Sequence, residues 1–302
     1  MPFPNTRLTA SLYATMSITF WGVSFVSTKA VLEVLDPFSL LVVRFGIGSI
    51  FLFCLINLLK EHISVPLKYI PHLLSLGVLG VFVHQVIQAS ALLTIQASDA
   101  GWLIAFSPIF TVLLSIVFLK EHLTLSRAAG IAIAVSGVLF ITILGSGQSF
   151  SFALSIGYFL MILSTFNWAV YSVLLKKLAI PLPSIVITFY MSMSGFTLTL
   201  PFLIRNHGWH QLVNLEGYYW GHLLFLGVFV SALAYWYWAK ALEIMEASQV
   251  SVFLYLEPLA TLIAAILLLK ENFSWLSITG GFLIIFGVLL VQGRLRFLFQ
   301  RS

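Results

Sequence analysis

Ten stretches of about twenty apolar residues, separated by short polar breaks, constrain this chain more than any single motif. A bilayer core about 30 Å thick is crossed by roughly 20 residues of α-helix, and only helices or closed barrels satisfy their backbone polar groups in lipid. The stretches fall near residues 12–32, 38–59, 71–93, 98–119, 125–144, 152–175, 185–204, 219–241, 248–269 and 275–292. With 60% hydrophobic and 8% charged residues, the chain lacks the polar surface of a water-soluble globule, where about 25% is charged. Its mean hydropathy of +1.06 agrees. The first stretch is long, follows only Arg7 and lacks a small-residue cleavage site, so it reads as a span rather than a cleaved signal.

The net charge of +5 does not gather on one soluble face, so nucleic acid is not an expected partner. Cys54 is the single cysteine, which excludes an intrachain disulfide or a cysteine metal cluster. The dinucleotide-binding glycine fingerprint, the Walker A loop and the zinc-protease pattern are absent, so neither an enzyme nor a cofactor or metal is expected. With ten spans, Arg7, Lys60, Lys68, Lys120, Arg127, Lys176, Lys177, Lys240, Arg294, Arg296 and Arg301 share one face, and Lys29, Arg205 and Lys270 share the other. Cytoplasmic loops retain the excess of Lys and Arg, which predicts a multi-pass protein of the inner (cytoplasmic) membrane with both termini cytoplasmic.

The chain also repeats itself at an offset of 150 residues. The segment from Ser107 to Ile141 aligns without gaps on Glu257 to Val291, and ten of the thirty-five positions are identical, including Pro108/Pro258, Lys120/Lys270, Glu121/Glu271, Gly130/Gly280 and Gly137/Gly287. The same offset pairs Ala97-Ser98 with Ala247-Ser248, and near the start of each half an offset of 147 pairs Trp21 with Trp168 and Lys29 with Lys176. Five spans per half is an odd number, so the second half enters the membrane from the opposite side. The expected fold is therefore an all-α membrane protein of ten transmembrane helices, built as two inverted five-helix repeats, residues 1–146 and 147–302, around a central cavity.

WGVSFVSTKA from Trp21, the Arg44-Phe45 pair, Leu119-Lys120-Glu121 with Gly130 and Gly137, NWAVYSVLLKKL from Asn167, ALAYWYWAKAL from Ala232 and EPLATLIAAILLLKE with Gly280 and Gly287 follow one another in this order. In that order the chain resembles the EamA-type branch of the drug/metabolite transporter superfamily along nearly its whole length. The family commonly has Leu-Gly-Glu where this chain has Leu-Lys-Glu in both copies. The resemblance implies a ten-helix carrier of small organic solutes, with spans 3, 4, 8 and 9 lining a cavity, spans 1 and 6 flanking it, and spans 5 and 10 outside.

Ionisable groups at bilayer depth are costly and usually face the protein interior or a hydrated cavity, so the few present here are the candidate site. Glu257 lies roughly 14 Å into the ninth span. Pro258 follows it, and Pro108 occupies the matching place; each removes a helix hydrogen bond, at the carbonyls of Leu254 and Ile104, and acts either as a hinge or as a packing residue. His84, Gln85 and Gln88 share an arc of the third span, and His84 with Glu257 could couple transport to protons. Arg44 either snorkels to the outer face, forms a structural ion pair, or anchors a substrate carboxylate or gate. Lys29 is expected to snorkel.

Tyr235 and Trp238 fall on the face of the eighth span that matches Gln85 and Gln88, and Trp102, Trp168, Tyr171 and Tyr255 are further candidate wall residues. The Lys120-Glu121 and Lys270-Glu271 pairs end helices on opposite membrane faces, as gate latches or as solvated termini. The expected function is a secondary carrier that exports or exchanges amino acids, related metabolites or amphipathic amines by alternating access. The alternative is an uncoupled facilitator or channel. A small solute, membrane lipid and protons as coupling ion are the expected partners of a monomer.

Overall fold

The computed structural model describes residues 6–95, 100, 103–104, 106–139, 156–261, 263 and 275–291, and among these there is no β-strand. Trp102, Lys270 and Glu271 lie outside the described residues. In chain order the main helices are α1 (Arg7–Val31), α2 (Pro37–Leu58), α3 (Leu67–Leu92), α4 (Ser107–Leu119), α5 (Leu125–Leu139), α6 (Ile156–Leu178), α7 (Ser184–Arg205), α8 (Gly217–Ile244), α9, which opens at Ala247–Ser251, and α10 (Trp275–Val291). A short helix, Trp209–Val213, joins α7 to α8. Of the described helices α2, α3, α6, α7 and α8 are long and apolar enough to cross a membrane.

Local chemistry sets several helix ends. Asp36 accepts hydrogen bonds from the backbone N–H groups of Phe38 (2.9 Å) and Ser39 (3.2 Å), and Pro37 opens α2 with its φ already helical. Lys120 stops α4 in the left-handed conformation, φ 56°. That conformation costs an L-residue with a Cβ roughly 1–2 kcal/mol and suits glycine, which explains why the Leu-Gly-Glu pattern fits this position.

The helices are not uniform. A π-helical turn, Val78–Val83, interrupts α3, and a second one, Leu226–Ala234, interrupts α8 at the position matched by the repeat. Early in α9 the chain tightens into a 3₁₀ turn, Val252–Leu256. The sequence expectation that Pro258 leaves the carbonyl of Leu254 unpaired is corrected here, because that tightening lets the N–H of Glu257 bond the same carbonyl. Pro108 likewise sits in the first turn of α4 and not in its interior, a place where its missing N–H removes no bond of that helix.

Contacts recur at the offsets of the sequence repeat. Lys29 on α1 donates to the carbonyls of Leu92 (2.5 Å) and Ile95 (3.0 Å) at the end of α3. Its mate Lys176 on α6 donates to those of Leu242 (2.7 Å) and Met245 (2.5 Å) at the end of α8. Lys29 therefore does not snorkel. The carbonyls at a helix end have no intrahelical donor, and an ammonium at a C-terminus also complements the helix dipole. Ser17 on α1 donates to the Ala234 carbonyl at 2.9 Å, and its mate Ser164 on α6 reaches the His84 carbonyl at 3.3 Å.

α5 and α10 cross with glycine in the seam. A Cβ built on Gly137 would come within 2.6 Å of the Gly280 carbonyl and 2.7 Å of the Ile284 nitrogen, and one on Gly287 within 2.5 Å of the Gly130 carbonyl. Small residues let helix backbones approach in this way. Because the neighbours are backbone atoms, Gly137→Ala is expected to cost about 1–3 kcal/mol through overpacking. This would be read as a lower melting temperature in detergent, whereas Gly217→Ala, with no atom near its built Cβ, should leave it unchanged. Lys120→Gly should raise the melting temperature by relieving the left-handed residue, a gain of about 1 kcal/mol.

Candidate functional site

A narrow cavity lies between the helices that the repeat relates to one another. Trp21, Ser24 and Phe25 of α1, Arg44 of α2, and His84, Gln85 and Gln88 of α3 form part of its wall. Ile104, Ser107 of α4, Thr165 and Trp168 of α6, Tyr235 of α8, and Leu254 and Glu257 of α9 complete it. Its volume is about 30 Å³, which accommodates a water molecule but not an organic solute, so the wall must move apart to admit one.

Several wall residues are mates that touch one another. Gln85 donates to the hydroxyl of Tyr235, its mate at an offset of 150, at 3.0 Å. Trp21 packs edge-on against its mate Trp168, ring centroids 4.9 Å apart. Symmetry-related residues meet only close to the axis that relates them, so the cavity lies on the pseudo-symmetry axis of the repeat. Ile104 with Leu254, and Ser107 with Glu257, are further pairs of mates in the wall.

A chain of hydrogen bonds fixes one side. Arg44 donates through Nε to the Ser231 hydroxyl (2.6 Å) and through Nη1 to Oε1 of Gln85 (2.9 Å). Gln85 donates onward to Tyr235, whose hydroxyl donates to the Gly80 carbonyl at 3.0 Å. Asn167 donates to the neighbouring Leu79 carbonyl at 2.6 Å. Both carbonyls belong to the π-helical turn of α3; that of Leu79 also accepts the His84 N–H, so the side chain of Asn167 adds a second bond to it.

Arg44 is 2% exposed, which corrects the expectation that it snorkels. Its acceptors are neutral, so the guanidinium charge is not balanced by a carboxylate. Across the wall, Glu257 is 1% exposed and its Oε2 has no hydrogen-bond partner. Gly22 allows this placement, because a Cβ there would meet the Ala260 methyl at 2.8 Å and the Glu257 carbonyl at 3.0 Å. The ion pairs among the described residues are Arg127–Glu246 and Lys240–Glu243, so neither Arg44 nor Glu257 takes part in one.

His84 is held by Nδ1, 3.2 Å from the Ser164 carbonyl and 3.0 Å from its hydroxyl. A carbonyl only accepts, so a proton on Nδ1 satisfies it and makes Nε2 the acceptor of a neutral ring. The imidazole lies 4.9 Å from the Trp168 ring.

Of the residues singled out from sequence, Glu257, His84, Gln85, Gln88, Trp168, Tyr235 and Arg44 converge on the cavity. Three others do not line it. Tyr171 fills the space left by Gly80, where a Cβ would lie 2.4 Å from its ring, and its hydroxyl meets the Met191 sulfur at 3.8 Å. Trp238 is fully buried behind the wall and donates to the Ser172 hydroxyl at 3.3 Å. Tyr255 is fully buried with its hydroxyl unpartnered. Spacing of three along α8 put Tyr235 and Trp238 on one face, but a helical face is wider than this cavity.

Glu121 does not pair with Lys120; its carboxylate accepts from the backbone of Ala247 and Ser248 at the start of α9. Trp21 went unselected in the sequence, although its pairing with Trp168 was the signal that could have identified it. Ser107 could likewise have been found as the mate of Glu257.

The EamA-like transporter family model matches residues 8–143 and again residues 155–292. The chain belongs to this family. An uncharacterized transporter of Archaeoglobus fulgidus is 33% identical over 91% of this chain and 96% of its own length. A protein of Streptantibioticus cattleyicolor named a probable terminal-alkyne amino-acid exporter is 27% identical over 74% of each chain. A solved crystal structure superposes with a TM-score of 0.78, covering 98% of this chain and 100% of that one at 20% identity, which establishes the shared fold. The protein is thus a membrane protein of a transporter family, helical without strands among the described residues and with its family segment present twice.

The Arg44–Gln85–Tyr235–Gly80 chain carries a measurable energy. Tyr235→Phe removes a side-chain bond from the buried Gly80 carbonyl and takes away the acceptor of a buried Gln85 amide hydrogen, and is expected to destabilise the protein by about 1–3 kcal/mol. The double change Gln85→Leu with Tyr235→Phe should cost less than the sum of the two single changes, measured as melting temperatures in one detergent.

Proposed function

We propose that this protein is a secondary carrier that exports or exchanges small amphiphilic zwitterions of the amino-acid type by alternating access. The observation that carries this reading is the wall of the cavity, which contains one guanidinium and one carboxylate, neither of them ion-paired. A buried charge without a counter-charge is costly. A solute bearing an ammonium and a carboxylate would relieve both, with its ammonium toward Glu257 and its carboxylate toward Arg44. Trp21, Phe25 and Trp168 would enclose an apolar side chain, and the tryptophan faces also favour a cation. The Streptantibioticus cattleyicolor protein named a probable terminal-alkyne amino-acid exporter supports the same class.

The proposed architecture is ten spans in two inverted repeats, residues 1–146 and 147–302, with both termini cytoplasmic and a complete pathway in the monomer. The recurrence of the Lys29 and Lys176 contacts, and the meeting of mates at the cavity, support the repeat. Two halves related in this way can rock about a shared site and open it alternately to either side. Protons are the proposed coupling ion, exchanged at the Glu257 carboxylate.

Purified protein in liposomes tests the reading. Neutral amino acids with apolar side chains should exchange across the membrane, while the matching decarboxylated amines and deaminated acids compete at least about tenfold less well, the scale set by loss of a buried charged contact. Glu257→Gln and Arg44→Gln should each lower exchange by about tenfold or more. Amines competing as well as amino acids would remove Arg44 from recognition. Flux that only dissipates an imposed gradient, with no uphill accumulation under a pH gradient, would instead identify an uncoupled facilitator.

A further inference from the structure

The wall of the cavity holds more unused polarity than its two charges. His84 is 6% exposed and its Nδ1 faces the Ser164 carbonyl, so Nε2 is an acceptor without a partner among the described residues. Trp168 is 5% exposed, and its Nε1 has no hydrogen-bond partner. Gln88 is half-buried, and its amide makes no hydrogen bond among the described residues. All three residues line the cavity.

His84 connects the other two. The helix is regular from His84 to Leu92, and residues four apart share a face, so Gln88 lies one turn beyond His84 on the same side. The imidazole is 4.9 Å from the Trp168 ring. The wall therefore offers one acceptor, one donor and one amide that can do both.

The neighbours of these residues are engaged. Gln85, next to His84, bonds Arg44 and Tyr235. Asn167, next to Trp168, donates to the Leu79 carbonyl, and Trp238, the mate of Gln88, donates its indole N–H to Ser172. A buried indole N–H usually finds a partner, and a polar group shielded from water is costly without one. The fold accounts for the engaged residues but gives the three free groups nothing to hold.

We propose that His84, Gln88 and Trp168 form a side-chain subsite for a neutral tip that both donates and accepts, of the hydroxyl type, carried on an apolar stem. This rests on the zwitterion reading and extends it: Arg44 and Glu257 take the head group, and the subsite ranks solutes by the tip of the side chain. The tip donates to Nε2 of His84 and accepts from the Gln88 amide or from Nε1 of Trp168. Water entering the cavity can serve these groups while no solute is bound. A methyl tip displaces that water without replacing its bonds, whereas a hydroxyl replaces them.

Matched pairs of amino acids test the subsite in liposomes: norvaline against homoserine, and norleucine against δ-hydroxynorvaline. Each pair differs only in a terminal methyl or hydroxyl. In at least one pair the hydroxylated member should compete for exchange about tenfold better, the scale of one unmade buried hydrogen bond. Gln88→Leu and His84→Asn should each bring the ratio within that pair close to one; Asn keeps a donor for the Ser164 carbonyl and removes the Nε2 acceptor. Trp168→Phe should lower the ratio in the same direction. Gln88→Leu should also leave the melting temperature in detergent at or above that of the parent, because the amide holds nothing in the fold.

Equal competition within both pairs overturns the subsite and leaves the zwitterion reading standing. A ratio that Gln88→Leu leaves unmoved overturns it too, as does a lower melting temperature for that variant, which would make the amide a structural group. If none of the four amino acids competes, the zwitterion reading falls and the subsite with it. Should His84→Asn fail to fold, the Gln88→Leu ratio decides.

Discussion

Water does not reach a carbonyl in the middle of a bilayer, so every departure from a regular α-helix there requires a partner from the protein itself. This chain departs from the regular helix repeatedly. The π-helical turn of α3 offers the carbonyls of Leu79 and Gly80, which Asn167 and Tyr235 take up. The ends of α3 and α8 are closed by Lys29 and Lys176, and the start of α9 by Glu121. Polar side chains that look isolated in the sequence are thus the partners of irregular backbone. Their positions follow from where the helices bend and stop.

The same requirement separates structural from unengaged polarity. Asn167, Lys29, Lys176 and Glu121 direct their polar groups at backbone. Arg44 and Glu257 differ: the first spends two of its donors on neutral side chains, and the second retains an oxygen with no partner. Burial alone would class all of them together. The inventory of partners distinguishes the groups that hold backbone from those that retain unused polar capacity.

Much of this was legible in the sequence, for identifiable reasons. Apolar length located the helices, because the bilayer fixes how long a span must be. The 150-residue offset linked Gln85 to Tyr235 and Trp21 to Trp168, and such mates meet at the cavity. Side-chain partners were not legible. Lys29 and Arg44 read as candidates to snorkel because one sequence cannot show a carbonyl or a serine waiting within reach on another helix. Tyr171 and Trp238 read as wall residues because aromatic type and helical phase do not distinguish the layer facing a cavity from the layer behind it. The proline readings erred for a related reason: a 3₁₀ turn can shift a hydrogen bond by one residue and leave no orphan.

The meeting of Gln85 with Tyr235 has an evolutionary consequence. In an antiparallel dimer of one half, the position on the axis would face an identical copy, glutamine against glutamine or tyrosine against tyrosine. Arg44 and Glu257 would each occur twice, setting like charges against each other about one site. A single chain with two unlike halves escapes that restriction. It can place a donor opposite an acceptor on the axis itself, and one charge of each sign in the wall, so the two ends of the cavity are chemically unlike.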